Sequence, residues 1–259
     1  MTKIVGILNI TPDSFSDSGE YFDQALAAQR AVELFEEGAD IVDIGAVSTR
    51  YGATLIDHEE EWQRLEPVLA KINRQYISRI SIDTFNPETA QKALALGVGM
   101  INDVAGATNL CMLEIIAANP AIKYVMMYSL TLPADRSVRA KDRQEIYDFG
   151  QSAINKALKS GIQKEQLIFD PGIGFVTDSA LSFQIIKDLA FYNLLNIPLY
   201  IGHSRKSFLE SVSVLPPAQR DIETLTASIY MMMQGIAYLR VHNVAMHVRA
   251  RNVIKELLS

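Results

Sequence analysis

The chain has 259 residues, 49% of them hydrophobic and 21% charged, with a formal net charge of −6. That length and balance suit one globular domain over residues 1–259, and no apolar run approaches the roughly 18 residues of a membrane span. An acidic chain without a long basic run disfavours nucleic acid, and an anionic ligand would need a cationic pocket set against the global charge.

Met1-Thr2-Lys3 leads straight into the apolar run Ile4-Val5-Gly6-Ile7-Leu8, so no signal peptide is expected. The one cysteine, Cys111, fits a reducing cytoplasm and reads as a small core residue. Strands are expected at 3–9, 40–44, 79–82, 99–102, 122–127, 166–169, 198–202 and 237–241. Most are short and continuously apolar, the pattern of parallel strands buried on both faces. The segments between them have helical period. Ala27, Ala31, Leu34 and Phe35 form one stripe, closed by Gly38, and Trp62, Leu65, Leu69 and Ile72 form the next. Asp57 and Glu60 have capping-box spacing, and Asn86-Pro87 sets a capping residue before a proline at the first helical position. Ile146, Phe149, Ala153 and Ala157 share a face between 142 and 159, and further helices are expected at 221–234 and 246–258. A polar stretch at 131–143 reads as a long loop. Eight strand–helix repeats without a linker give a single (β/α)8 TIM barrel, an α/β fold whose active site lies at the C-terminal ends of its strands.

The residues at those strand ends are therefore informative. The first strand ends in Asn9-Ile10-Thr11-Pro12-Asp13-Ser14-Phe15-Ser16-Asp17, far more polar groups than a turn requires. The others end in Asp43 with Ser48-Thr49-Arg50, Asp83-Thr84, Asn102-Asp103, Met127-Tyr128-Ser129, Asp170-Pro171-Gly172, His203-Ser204-Arg205-Lys206-Ser207 and Arg240-Val241-His242-Asn243. Asp83, Asn102 and Asp170 suit a flat heterocycle that presents N–H and amine donors. Arg50, Arg205, Lys206, Arg240 and His242 supply cations for phosphate groups. Asn9 could enter a magnesium shell completed by water and phosphate. No convincing Ser–His–Asp or Cys–His set appears, so no protein nucleophile is expected.

These blocks, in this order and spacing, resemble the dihydropteroate synthase family over essentially the whole chain. The resemblance implies a folate-pathway transferase that joins 6-hydroxymethyl-7,8-dihydropterin diphosphate to 4-aminobenzoate with magnesium as cofactor. It implies that Asp83, Asn102, Asp170 and Lys206 hold the pterin, with Met127 on its face and Asp83, Asp170 and Lys206 as the catalytic set. Thr49, Arg50, Arg240 and His242 would hold the diphosphate, and Asn9 the magnesium. Phe15, Thr49 and Ser207 would form the aminobenzoate site. The family is typically a homodimer through its last helices, where Ile229, Met231, Met232 and Met233 could contribute, with a core role for them as the equal alternative.

The chain departs from the family at five places. Val47 replaces a glutamate and Tyr51 a proline in the second loop. Tyr128 stands for a histidine after the fifth strand, Thr177 for a lysine in the sixth loop, and Asn243 for an aspartate after Arg240-Val241-His242. These changes leave a second expectation, a pteridine-binding paralogue with lost or altered synthase activity. A methyltetrahydrofolate-binding methyltransferase domain on the same barrel is a third, and it lacks the Ser204-Arg205-Lys206 and diphosphate-site combination.

Overall fold

In the computed structural model, residues 1–11, 24–135 and 137–258 are described. Phe15 and the remainder of the first loop up to Asp23 lie outside them. Eight parallel strands, β1 (Lys3–Asn9), β2 (Ile41–Gly45), β3 (Ile80–Asp83), β4 (Met100–Asp103), β5 (Lys123–Met127), β6 (Leu167–Asp170), β7 (Tyr200–Ile201) and β8 (Tyr238–Val241), join in the order β6-β5-β4-β3-β2-β1-β8-β7. A single bridge between Phe169 and Leu199 brings the two edges together. The expected TIM barrel is therefore present. Its α-helices are α1 (Gln24–Glu36), α2 (His58–Lys71), α3 (Arg74–Ile77), α4 (Pro87–Ala95), α5 (Leu110–Ala117), α6 (Arg143–Lys159), α7 (Ser179–Lys187), α8 (Asp221–Met233) and α9 (Val244–Leu258). None of the described helices is long and apolar enough to cross a membrane.

The apolar stripes face the sheet as their spacing requires: Ala27, Ala31, Leu34 and Phe35 on α1, and Ile146, Ala153 and Ala157 on α6, are all buried. The Asp57 carboxylate accepts from the Glu60 amide and Asp142 from those of Gln144 and Glu145, so both helices start at their capping residue. Asn86 precedes α4 as expected but does not cap it, because its side-chain amide donates to Glu61 at 2.8 Å. Cys111 is corrected outright. It is exposed in the first turn of α5, where Met112, Leu113 and Ile116 take the buried face.

Inside the barrel, Val5, Met100, Val125, Ile168, Tyr200 and Tyr238 form an apolar plug. Above it, strand register sets Asn9, Gly45, Asp83 and Asn102 in one row across four adjacent strands, with Met127 level with Asp170 on the far side. The polar groups therefore sit at the C-terminal mouth of a barrel whose lower half is closed to water.

Candidate active site

Asp83, Asn102 and Asp170 come together at this mouth. Asn102 and Asp170 are 4% and 5% exposed. Burial pushes the Asp170 carboxyl up to about 6, against the opposing pull of Lys206. Burial likewise drives Asp83 up to about 7, helped by the like charges of Asp43, Glu61 and Asp103 and opposed by Arg240. Met127, 4% exposed, supplies the apolar wall.

Asp83 is held from behind. Glu61 of α2 is fully buried, and its Oε2 accepts from Thr84 Oγ1 at 3.0 Å, Asn86 Nδ2 at 2.8 Å and Thr89 Oγ1 at 2.6 Å. One carboxylate thus ties α2 to the turn between β3 and α4, directly after Asp83. Asp103, the neighbour of Asn102, faces away from the mouth. It accepts from the amides of Ala105 and Ala107 and from the Tyr124 hydroxyl, and so shapes the turn after β4.

Lys206 enters from the loop after β7. Its ammonium donates to the carbonyl of Ile173 and lies 4.7 Å from the Phe175 ring centroid. Burial lowers it to about 8, with Asp170 pulling the other way. Two glycines make the approach possible. At Gly172 (φ +71°) a Cβ would lie 2.2 Å from the Tyr128 carbonyl oxygen, and at Gly174 (φ +76°) one would lie 2.7 Å from Lys206 Cδ.

The expected cations divide. Arg205 is turned away and forms a two-pronged pair with Asp221 of α8, at 2.7 and 3.0 Å. His242 is not a cation: burial, with Arg205 and Arg240 nearby, lowers it to about 3. The Ser204 hydroxyl accepts from the His242 amide at 3.3 Å and sits 2.9 Å from its Nδ1. With that hydroxyl donating to Nδ1, the ring carries its proton on Nε2 and offers a neutral donor. Arg240 crosses the barrel, with Nε on Asp43 at 2.6 Å and an Nη on Asp83 at 2.9 Å. Arg50 is exposed at the rim, beside a partly buried Thr49 whose carbonyl accepts from the Ala134 amide at 2.9 Å. The loop at 131–143 is thus a strut between the second and sixth loops, since Ala140 also donates to Val176. Nothing in its composition signals this role. Ser207 opens a short 3₁₀ turn and is exposed.

Asn9 ends β1 in the row of Asp83 and Asn102. No group of three His, Cys, Asp or Glu side chains that could hold a metal occurs among the described residues. Asn9 offers a hard amide oxygen of the kind a hydrated divalent cation accepts beside phosphate.

Three of the five positions where the sequence leads one to expect a departure face away from the mouth. Tyr128 is buried against α6, its hydroxyl donating to Glu145 at 2.7 Å and its ring set edge-on to Phe149. The Thr177 hydroxyl accepts from the Gly174 amide and bonds the Ser182 hydroxyl at 2.7 Å, so this side chain braces the sixth loop. Asn243 caps α9 by accepting from the Met246 amide, and it donates to Asp221, which an aspartate could not do. Val47 is partly buried and Tyr51 is 59% exposed in the second loop.

A parallel barrel with buried acceptors at its mouth, beside a neutral imidazole and an arginine, defines an enzyme of the TIM-barrel class that takes a polar heterocycle with an anionic group. The pterin binding enzyme family model matches residues 5–242. The chain is 36% identical to the dihydropteroate synthase of Staphylococcus haemolyticus over 96% of its own length and 92% of that protein. It is 33% identical to the enzyme of Escherichia coli K12 over 99% and 92%. Among solved structures, the Anaplasma phagocytophilum dihydropteroate synthase with bound 6-hydroxymethylpterin-monophosphate superimposes with a TM-score of 0.89 at 34% identity, covering 99% of each chain. The Xanthomonas albilineans enzyme with 4-aminobenzoic acid gives 0.90 at 34% identity, covering 100% of this chain and 93% of that one. The chain belongs to the dihydropteroate synthase family.

Proposed function

We propose that this chain condenses 6-hydroxymethyl-7,8-dihydropterin diphosphate with 4-aminobenzoate, releasing diphosphate and 7,8-dihydropteroate. The observation that carries the reading is the convergence of Asp83, Asn102 and Asp170 with Lys206 in a buried mouth. Three acceptors and one donor on four strands match the hydrogen-bonding edge of a pterin, and Met127 packs on its face. Arg240, His242, Thr49 and Arg50 receive the diphosphate. Phe15, Thr49 and Ser207 receive the aminobenzoate.

Charge governs the chemistry. The bond between the pterin methylene and the diphosphate oxygen breaks, and its electron pair leaves with the diphosphate. Positive charge then develops on the methylene and spreads into the ring. Asp83 and Asp170 stabilise it in a site where water does not screen them. The aminobenzoate nitrogen donates its lone pair to the methylene and loses a proton. His242 and the arginines hold the departing anion. Asn9 would hold a magnesium ion, which would supply charge neutralisation for the diphosphate.

The orientation of Tyr128, Thr177 and Asn243, all directed into helix or loop packing, supports a working synthase over a non-catalytic paralogue. The test supplies the pterin diphosphate, 4-aminobenzoate and magnesium, and measures diphosphate release with dihydropteroate formation. Turnover is expected. Pterin binding without turnover would overturn the synthase in favour of the paralogue.

The working unit is a homodimer through α8. Met231 and Met232 take the core role, the other expectation for them, and Ile229 is partly buried, which leaves Met233 with Ile222 and Tyr230 for the surface, at 63%, 74% and 48% exposed. Sedimentation is expected to give the mass of two chains, and of one chain for Met233→Glu. A wild-type mass of one chain removes the dimer.

A further inference from the structure

We infer that Asp43 is a positioning residue that fixes the direction of the hydrogen bonds in the heterocycle pocket, acting through Asn102 and Arg240 without touching the ligand. This rests on the pterin-binding reading above. Asp43 lies in the middle of β2, between Val42 and Ile44, and is fully buried. Its Oδ2 accepts from Asn102 Nδ2 at 3.1 Å and from Arg240 Nε at 2.6 Å.

A carboxylate can only accept. Turning the Asn102 amide over would set its carbonyl oxygen against Asp43 Oδ2, two acceptors at hydrogen-bond distance with nothing to share. The charge on Asp43 therefore locks the amide nitrogen inward and leaves Asn102 Oδ1 for the mouth. Asp83 and Asp170, when ionised, are acceptors as well. The wall they form with Asn102 is then acceptor-only and selects an edge made of donors. Asn102 could present either group without Asp43, so the selectivity at that position originates one residue behind the contact.

Arg240 is held by the same logic. Its Nε is engaged by Asp43 and one Nη by Asp83, which fixes the guanidinium plane across β2, β3 and β8. Asp83 is thereby charge-balanced at its Oδ2.

The cost to the fold argues against a purely structural role. Asp43 Oδ1 is buried with no hydrogen-bond partner among the described residues, and so is the hydroxyl of Ser81, its register neighbour on β3. A half-satisfied buried carboxylate destabilises a barrel that an aliphatic residue would fill more favourably.

Asp43→Asn keeps the shape and removes the lock, since an amide can donate to Asn102 Oδ1. The test measures affinity by calorimetry for a pterin and for the 2-oxo pteridine in which oxygen replaces the exocyclic amine. The same two ligands are measured on Asn102→Ala and on the double variant. The wild type is expected to prefer the pterin, and Asp43→Asn to shrink that preference by about tenfold, equivalent to about 1.4 kcal/mol. The two substitutions are expected to be non-additive on the preference. Equal losses for both ligands, or additive effects, would overturn the inference while leaving the pterin reading intact. A wild type that binds neither ligand would remove both. Asp43→Ser, which cannot offer a second amide, takes the place of Asp43→Asn if that variant fails to fold, with the same expected loss of preference.

Discussion

Lys206 and Asp170 feel each other's charge at the mouth, and their titrations are displaced in opposite directions. Burial raises Asp170 to about 6 and lowers Lys206 to about 8. The proposed pterin site needs its carboxylates ionised, hence a pH above about 6 for Asp170 and about 7 for Asp83. It needs the ammonium protonated, hence a pH below about 8. Pterin affinity is therefore expected to pass through a maximum near neutrality and to fall on both sides. A guanidinium stays protonated beyond about pH 12. In Lys206→Arg the alkaline limb is expected to vanish while the acidic limb stays, whatever the absolute affinity becomes. An alkaline limb unchanged in that variant, followed by calorimetry across the pH range, would assign the limb to the ligand and not to Lys206.

At the scale of elements, the sequence foretells the strands, and the two last helices and the one from 142, within a residue or two because strand burial and helical period are local patterns, while it sets no bounds for α3, α5 and α7. The direction of a side chain at a strand end is not local. Asn102 and Asp103 are adjacent and equally polar, yet one faces the mouth and the other organises the turn after β4. Met127 and Tyr128 divide the same way, and so the change at Tyr128 reads in sequence as a change beside the pterin but falls against α6. Alternation would sort such pairs if the register were known, and the register is set by neighbouring strands. Arg205 misleads for a similar reason. Its charge reads as part of a phosphate site, but Asp221 sits sixteen positions on and captures it. Asp43 had a visible signal, a lone carboxylate inside the apolar run Ile41-Val42-Asp43-Ile44. Its role emerges only where β4 and β8 bring Asn102 and Arg240 to it.

The barrel as a whole is least supported around β7, which pairs with β8 over two residues and meets β6 at a seam of a single bridge. Five of its strand pairs are in register over four or more residues, whereas β6 and β7 meet through the Phe169–Leu199 bridge, with the Phe169 amide donating to Pro198 at 3.0 Å. β7 itself has two residues. Asp170 ends the strand on one side of this seam, and Lys206 comes after the strand on the other. A pterin held by both, as proposed above, would span the seam, and its binding free energy would oppose opening there more directly than anywhere else. Ligand at about a hundred times its dissociation constant stabilises the folded state by about 2.7 kcal/mol. The seam opens below the free energy of global unfolding if it is the least-supported contact. Amide exchange of Phe169 is then expected to be faster than that of Val42, which donates to Arg79 on the well-paired side, and to slow by a larger factor when pterin is added. Equal slowing at both amides would mean that the barrel opens only as a unit and that the ligand acts on the whole fold. Unequal slowing would make the substrate the last structural link in the closure of its own barrel.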